Sequence, residues 1–342
     1  MKAILFYGPK DLRIENVPDP TISKGEVLVE IKAALTGGTD TKTYLQGHPK
    51  LIKSIPSSFG YEFSGIVKET KNSKFSVGDK VVAANTAPCY KCFFCKKEEF
   101  ELCENLEFFN GSFAELIKIP ETIVENNLYK IPESLDFKTA AAVQTLAVTL
   151  HGFEKSGIKD NDIVCVYGIG AIGLSFIKLC RKLRKNITII AIGNSALKTK
   201  FAKANGADFI FDYKDPEFTN KIKAINGYGA DVVFEAVGKP EAWLDCLKMV
   251  RAGGLINFFG GCKKDSKVVF DTYQIHYQEI RMIGTFHHRP KYIQQALELL
   301  ASGAIDMSDL ITAEFKLEDL EIALQQMIEG KILKAVIASP TQ

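Results

Sequence analysis

The 342-residue sequence predicts an α/β protein. A strand-rich domain over residues 1–148 is followed by a doubly wound parallel sheet over 149–284, and residues 285–342 return to the first domain. Three observations carry this reading. The chain before about 148 is strand-patterned and punctuated by glycine. Beyond it, short apolar strands and helical patterns take turns. At one strand-to-helix junction stands G-x-G-x-x-G: Gly168-Ile169-Gly170-Ala171-Ile172-Gly173.

In the first domain, Gly25-Glu26-Val27-Leu28-Val29-Glu30-Ile31 alternates as a half-buried strand does. Gly65-Ile66-Val67 and the stretch 77–83 read as further strand and turn. An apolar segment at 140–153 has helical length. The second domain offers strands at 163–167, 187–192, 209–211, 232–237 and 255–259, separated by helical patterns at 174–185, 197–205 and 241–250. That alternation implies a parallel sheet with helices on both faces. The tail supplies helical patterns at 292–301 and 317–328 and a last strand at 335–338.

Apolar residues make up 46% of the chain, enough for two cores, and the net charge is +2. No Lys/Arg run suggests a nucleic-acid partner. No uninterrupted apolar run approaches the roughly 18 residues of a membrane span. The opening apolar run, Met1 to Phe6, is too short for a secretory leader. Eight cysteines, of which Cys165, Cys180, Cys246 and Cys262 are scattered, suit a reducing cytoplasm better than a disulfide framework. The scattered four read as small core residues.

The other four, Cys89, Cys92, Cys95 and Cys103, fall in C-x2-C-x2-C-x7-C spacing. Four thiolates this close wrap one tetrahedral Zn²⁺ and leave it no open position, so such a metal is structural.

The glycine motif reads as a dinucleotide site. Gly168 permits the tight turn, Gly170 lets the backbone approach a pyrophosphate, and Gly173 lets helix pack on strand. Ile169, Ala171 and Ile172 complete the loop at the helix N-terminus. An NAD site needs an acid at the end of the second strand, but the sequence there is Ile192-Gly193-Asn194-Ser195. Asn194 and Ser195 can donate hydrogen bonds, and Lys198 and Lys200 follow one turn later. NADP is therefore expected, with NAD, using an acid such as Asp212, as the alternative.

Further motifs place the whole chain. Gly37-Gly38-Thr39-Asp40 resembles C-G-T/S-D, and Gly60-Tyr61-Glu62-Phe63-Ser64-Gly65 resembles G-H-E-x-x-G. Phe75–Val81 resembles F-x-x-G-D-x-V, and Gly330-Lys331-Ile332-Leu333-Lys334 resembles G-K-x-x-R/K. Together these resemble the medium-chain zinc-type alcohol and polyol dehydrogenases, with sorbitol and threonine dehydrogenases the nearest branch. The resemblance implies a GroES-like catalytic domain and a Rossmann domain, a small-molecule substrate, a homodimer or homotetramer, and the cysteine lobe as the structural zinc site. It implies that Tyr213 lies on the adenine side, that Val237 and Gly238 lie beside the nicotinamide, and that Lys334 reaches the pyrophosphate.

The family's catalytic zinc is bound by the Cys of C-G-T/S-D, the His of G-H-E and an acid or Cys before the first Rossmann strand. Those positions are Gly37, Tyr61 and Gln144 here, and only Glu62 survives. Gly has no ligand atom, and neutral Tyr and Gln are poor zinc ligands. The expectation is hydride transfer without catalytic zinc, on a carbonyl, an alcohol or a conjugated double bond. Tyr61 then serves as proton donor and Thr39 as relay, with Asp40, Lys42, Glu62 and Gln144 orienting substrate. His48 and Asp40 are candidates to rescue a metal site. His287-His288-Arg289 either binds an anionic or polyhydroxy substrate or is a surface pair, and His151 and His276 read as structural. Two alternatives remain: a conventional zinc enzyme with unusual ligands, and a cofactor-binding sensor without turnover.

Overall fold

The computed structural model describes residues 1–338. The chain divides into two compact units: Met1–Ala147 with the chain from His288 onward, and Val148–His287.

The first unit is organised by strand Val27–Leu35, which is buried on both faces. Glu62–Thr70 and Lys334–Ala338 flank it antiparallel, and Leu116–Ile119 pairs with its beginning. Ile311–Lys316 lies parallel to the last strand, while Lys80–Ala83 and Leu128–Lys130 extend the opposite edge. Helix Gly38–Gln46 starts immediately beyond the central strand, and Asp40 Oδ2 accepts the N–H of Gly37 at 2.7 Å to hold that start. Gly60 sets the approach to Tyr61. Its φ is +83°, and a Cβ there would lie 2.3 Å from the Phe113 ring, so only glycine fits.

The second unit is a six-stranded parallel sheet in the order Phe209–Phe211, Thr188–Ile192, Ile163–Tyr167, Ala230–Glu235, Val250–Phe258, Arg281–Gly284. The strand order reverses between Ile163–Tyr167 and Ala230–Glu235, the switch point at which doubly wound sheets bind ligands. Of the scattered cysteines, Cys165, Cys180 and Cys246 are buried and Cys262 is half-buried.

Some boundaries differ from the sequence expectation. The helix expected at 140–153 is two, Phe137–Ala141 and Val143–Ser156, the first started earlier by Asp136, whose side chain accepts from Thr139 N. The strand expected at 232–237 ends at Glu235, because the Glu235 carboxylate takes the N–H groups of Val237 and Gly238 and turns the chain out of the sheet. Among the described residues no helix is long and apolar enough to cross a membrane.

Candidate active site

The residues read as replacing a zinc site meet in the first unit as one buried polar cluster. Asp40 is 2% exposed, Lys334 2%, Glu62 4% and Tyr61 8%. With Thr145 they arrive from four elements: helix Gly38–Gln46, the start of strand Glu62–Thr70 with Tyr61 just before it, helix Val143–Ser156 and the first residue of strand Lys334–Ala338. Thr145 Oγ1 donates to Glu62 Oε1 at 2.8 Å, and Lys334 Nζ donates to Thr145 Oγ1 at 3.2 Å. Lys334 Nζ also lies 2.7 Å from Glu62 Oε2. That contact is an ion pair rather than an aligned hydrogen bond, since Oε2 receives none.

Burial first, and the neighbouring Glu62 and Asp40 carboxyl groups next, push the Tyr61 phenol well above its ordinary value, opposed by a hydrogen bond with Thr39. Tyr61 is thus held as a neutral phenol with the Thr39 hydroxyl as its partner. Burial and the Glu62 carboxyl push the Asp40 carboxyl up to about 8, against the pull of the Gly37 N–H and Lys334.

Other expected residues are placed differently. Gln144 is engaged on both amide atoms: Oε1 accepts Asn85 N–H and Nε2 donates to Asn85 Oδ1, each at 2.9 Å. It fastens two segments rather than presenting its amide to a substrate. Lys334, expected at a pyrophosphate, has its ammonium spent on Glu62 and Thr145. Lys42 is solvent-exposed. His48 Nδ1 accepts the N–H groups of Lys50 and Leu51 at 3.2 and 3.1 Å, which makes it a turn-former. Arg289 grips the buried Glu101 of the cysteine lobe through two bonds of 2.7 and 2.8 Å, so it is not available to an anionic substrate. His288 is buried, and the His287 carbonyl bonds His151 Nδ1 at 2.9 Å. His276, expected to be structural, is exposed on the surface. Sequence reading missed Thr145 and Glu101. A threonine beside Gln144 in an otherwise apolar segment was the available signal for the first, whereas nothing local marks the second.

In the second unit the glycine loop has the shape its motif requires. Gly168 has φ +99° and a Cβ there would meet Val237 at 2.7 Å. A Cβ on Gly173 would lie 1.9 Å from Gly168 O, whereas one on Gly170 would meet nothing within 4 Å. The open side of the loop is therefore at Gly170, which precedes the first turn of helix Ala171–Leu183. This cradle fits a dinucleotide pyrophosphate held by backbone N–H groups. Ile169 packs on Gly193. Ser195 caps helix Ala196–Ala204, and Asn194 is exposed. Lys198 is half-buried, and burial lowers its ammonium's pKa, so an anion nearby would stabilise it. Tyr213 is exposed, its ring centroid 6.4 Å from that of Tyr167. Asp212 Oδ1 accepts Lys214 N–H at 2.8 Å, which occupies it in a turn.

The sulfur atoms of Cys89, Cys92, Cys95 and Cys103 all lie within 4.8 Å of one another, with Cys89–Cys95 at 4.0 Å and Cys92–Cys103 at 3.9 Å. A tetrahedral ion with Zn–S of about 2.3 Å calls for sulfur separations of about 3.8 Å, so the set fits zinc. Backbone N–H groups aim at the thiols: that of Lys91 holds the Cys89 thiol down to about 6, and those of Cys95 and Glu104 lower Cys92. Such donors support thiolates in a metal site.

The comparisons with known proteins agree with this architecture. Residues 23–133 match the alcohol dehydrogenase GroES-like domain, and residues 171–302 match the zinc-binding dehydrogenase family. D-arabitol-phosphate dehydrogenase of Enterococcus avium is 30% identical over 335 residues, covering 95% of this chain and 92% of that one. Sorbitol dehydrogenase of Bacillus subtilis is 28% identical over 340 residues, covering 97% and 94%. Among solved structures, a zinc-binding dehydrogenase from Sinorhizobium meliloti bound to NADP superposes with a TM-score of 0.88 at 27% identity, over 98% of both chains. The chain belongs to the medium-chain zinc-type alcohol and polyol dehydrogenase family, and is an NAD(P)-dependent oxidoreductase of the alcohol dehydrogenase type.

Proposed function

We propose that this oxidoreductase interconverts a small carbonyl or conjugated compound and its reduced form with NADP(H), without a catalytic zinc ion. One observation carries the reading. Where the family gathers zinc ligands, this chain has Gly37, a neutral buried Tyr61 bonded to Thr39, and a Gln144 already paired with Asn85. The surviving acid, Glu62, faces Lys334. Among the described residues only the four lobe cysteines gather as a metal-ligand group, which disfavours a zinc enzyme with unusual ligands.

When bound, the dinucleotide supplies or accepts the hydride. The chain's residues do the rest. Backbone N–H groups around Gly170 hold the pyrophosphate, with Gly168, Ile169, Ala171, Ile172 and Gly173 shaping the loop, and Val237 and Gly238 lie beside the nicotinamide. Asn194, Ser195 and Lys198, with no carboxylate beside them, favour a 2′-phosphate and hence NADP over NAD. Tyr213 stands on the adenine side. Tyr61 gives its phenol proton to the substrate oxygen, and Thr39 orients that phenol. Asp40 and Glu62 set the electrostatics around it.

We further place the enzyme in the cytoplasm, supported by a cysteine set in which Cys89, Cys92, Cys95 and Cys103 gather as metal ligands and Cys165, Cys180 and Cys246 lie buried in the core rather than forming a disulfide framework, and as a homodimer or homotetramer. The oligomer is supported by the exposed Val269, Tyr273 and Tyr277 in the segment leading to edge strand Arg281–Gly284.

The test begins with a screen of aldehydes, ketones, polyols and enones for oxidation of NADPH or reduction of NADP. On the substrate found, Tyr61→Phe lowers turnover by ~10²–10⁴-fold, the size of a general-acid contribution, with NADPH affinity unchanged. Wild-type turnover in Tyr61→Phe would show that the ring only fills space.

A further inference from the structure

Strands of a parallel sheet bury apolar side chains, yet strand Ala230–Glu235 ends on a fully buried carboxyl group. Burial pushes the Glu235 carboxyl above its ordinary value, opposed by the N–H groups of Gly238 and Val237, then of the Trp243 ring and Gly260. Only the first two are aligned bonds to the carboxylate, at 2.7 and 2.8 Å, and both fall on Oε1; Oε2 receives none. Among the described residues no cation pairs with it. A buried charge held by neutral donors alone is costly, so what those two bonds fix is the question.

They fix a segment against the glycine loop. Val237 and Gly238 lie past the end of the strand, where the sheet ladder no longer supplies their N–H groups with partners. A Cβ on Gly168 would lie 2.7 Å from Val237 Cγ2 and 3.0 Å from Ala236 C, so the loop rests directly on this segment. Ala236 N–H donates to Tyr167 O at 2.8 Å, one residue before the loop. The Glu235 carbonyl accepts the N–H groups of Phe259 and Gly260 at 3.0 and 2.8 Å, and a Cβ on Gly260 would lie 2.3 Å from Gly238 N. Glu235 therefore stands where the ends of three adjacent strands, Ile163–Tyr167, Ala230–Glu235 and Val250–Phe258, meet the loop at the switch point of the sheet.

We propose that Glu235 is a positioning residue for the dinucleotide: by holding the N–H groups of Val237 and Gly238 on one carboxylate oxygen, it preforms the wall on which the glycine loop rests. This rests on the loop holding the pyrophosphate and on Val237 and Gly238 lying beside the nicotinamide, and deepens that reading. Glu235 acts through the backbone of Val237 and Gly238. A wall already in place leaves less ordering for the cofactor to impose, which raises affinity without a new contact.

Calorimetry with NADPH and NADH, and hydrogen exchange resolved to single amides, test this. In the unliganded wild type the Val237 and Gly238 amides should already exchange slowly, and NADPH should slow the glycine-loop amides far more than these two. Glu235→Leu keeps the bulk and removes the acceptor. Replacing a buried charge by an apolar side chain of similar volume is often tolerated by the fold, so this variant separates cofactor affinity from stability. Its Val237 and Gly238 amides should exchange fast, and NADPH should bind about tenfold or more weakly. Glu235→Gln still offers an oxygen to both N–H groups and should stay within about threefold of wild type. A purely structural role predicts the other pattern, a lower unfolding midpoint in Glu235→Leu with cofactor affinity unchanged, and that result overturns the proposal. So do Val237 and Gly238 amides that exchange in the unliganded wild type as fast as an exposed loop, a result that does not depend on any variant folding. A wild type that binds neither reduced cofactor removes the cofactor reading and this proposal with it, whereas wild-type binding retained in Glu235→Leu removes this proposal alone.

Discussion

The cysteine lobe and the Gly37–Tyr61–Glu62 cluster occupy the two places where this family binds metal, and they have diverged. In the lobe four sulfurs lie within 4.8 Å of one another under backbone N–H groups, a closed shell ready for one ion. In the cluster, on the proposed reading, no such shell is left, and Tyr61, Glu62 and Lys334 are tied together through Thr39 and Thr145. A metal that only cross-links tolerates no missing ligand, because the lobe's fold is the binding energy. A metal that polarises substrate oxygen can be replaced by a proton donor held in a dry site, because both stabilise the same developing charge.

The comparison breaks most visibly at the lobe. Cys103→Ser removes a ligand from a site of the kind that contributes about 10–16 kcal/mol in zinc-finger peptides. The region from about residue 84 to 110 should lose its protection from hydrogen exchange, while NADPH affinity stays near wild type because the glycine loop belongs to the other unit. Equal losses in both would contradict that separation.

The cluster is broken next by Lys334→Met. Taking one partner from a buried ion pair leaves the other uncompensated, at a cost of about 3–5 kcal/mol. Chemical denaturation should show this loss, and adding Glu62→Gln should recover most of it.

A third variant sharpens the contrast through pH. The folded Asp40 carboxyl sits above its unfolded value of 3.8, at about 8. Its penalty is therefore absent below the unfolded pKa and grows as pH rises from about 4 to about 8. Asp40→Asn can still accept the Gly37 N–H, so its stability relative to wild type should rise steadily over that window. A flat difference between the two denaturation curves would mean the carboxyl is ionised throughout.

The smallest effect concerns the cofactor. Lys198→Ala should weaken NADPH by about tenfold, roughly 1.4 kcal/mol, and leave NADH nearly unchanged, as calorimetry can show. Parallel losses for both would mean that Lys198 does not face a 2′-phosphate.

These regions were not equally legible in the sequence. Strands Ile163–Tyr167 and Phe209–Phe211 were readable to the residue, because short apolar runs in a parallel sheet are bounded by sharp turns. The four cysteines were readable because all their ligand atoms lie within fifteen residues. Gly37 and Tyr61 at the family's ligand positions were readable from the motifs around them. The contacts that tie the cluster together were not. Lys334 meets Glu62 and Thr145 across most of the chain, with 189 positions between Lys334 and Thr145, and Glu101 meets Arg289 across 188. No local pattern encodes a partner that only the sheet brings near. For the same reason the pairing of Lys334 with the buried Glu62 could not be read from its motif.

The central claim, one metal position kept and one converted to proton chemistry, is tested most directly by the zinc content of the purified protein. Elemental analysis after incubation with excess zinc and removal of loosely held ions should give one zinc per chain in the wild type and in Tyr61→Phe, and none in Cys103→Ser. Two tightly held zinc ions per wild-type chain would contradict the account.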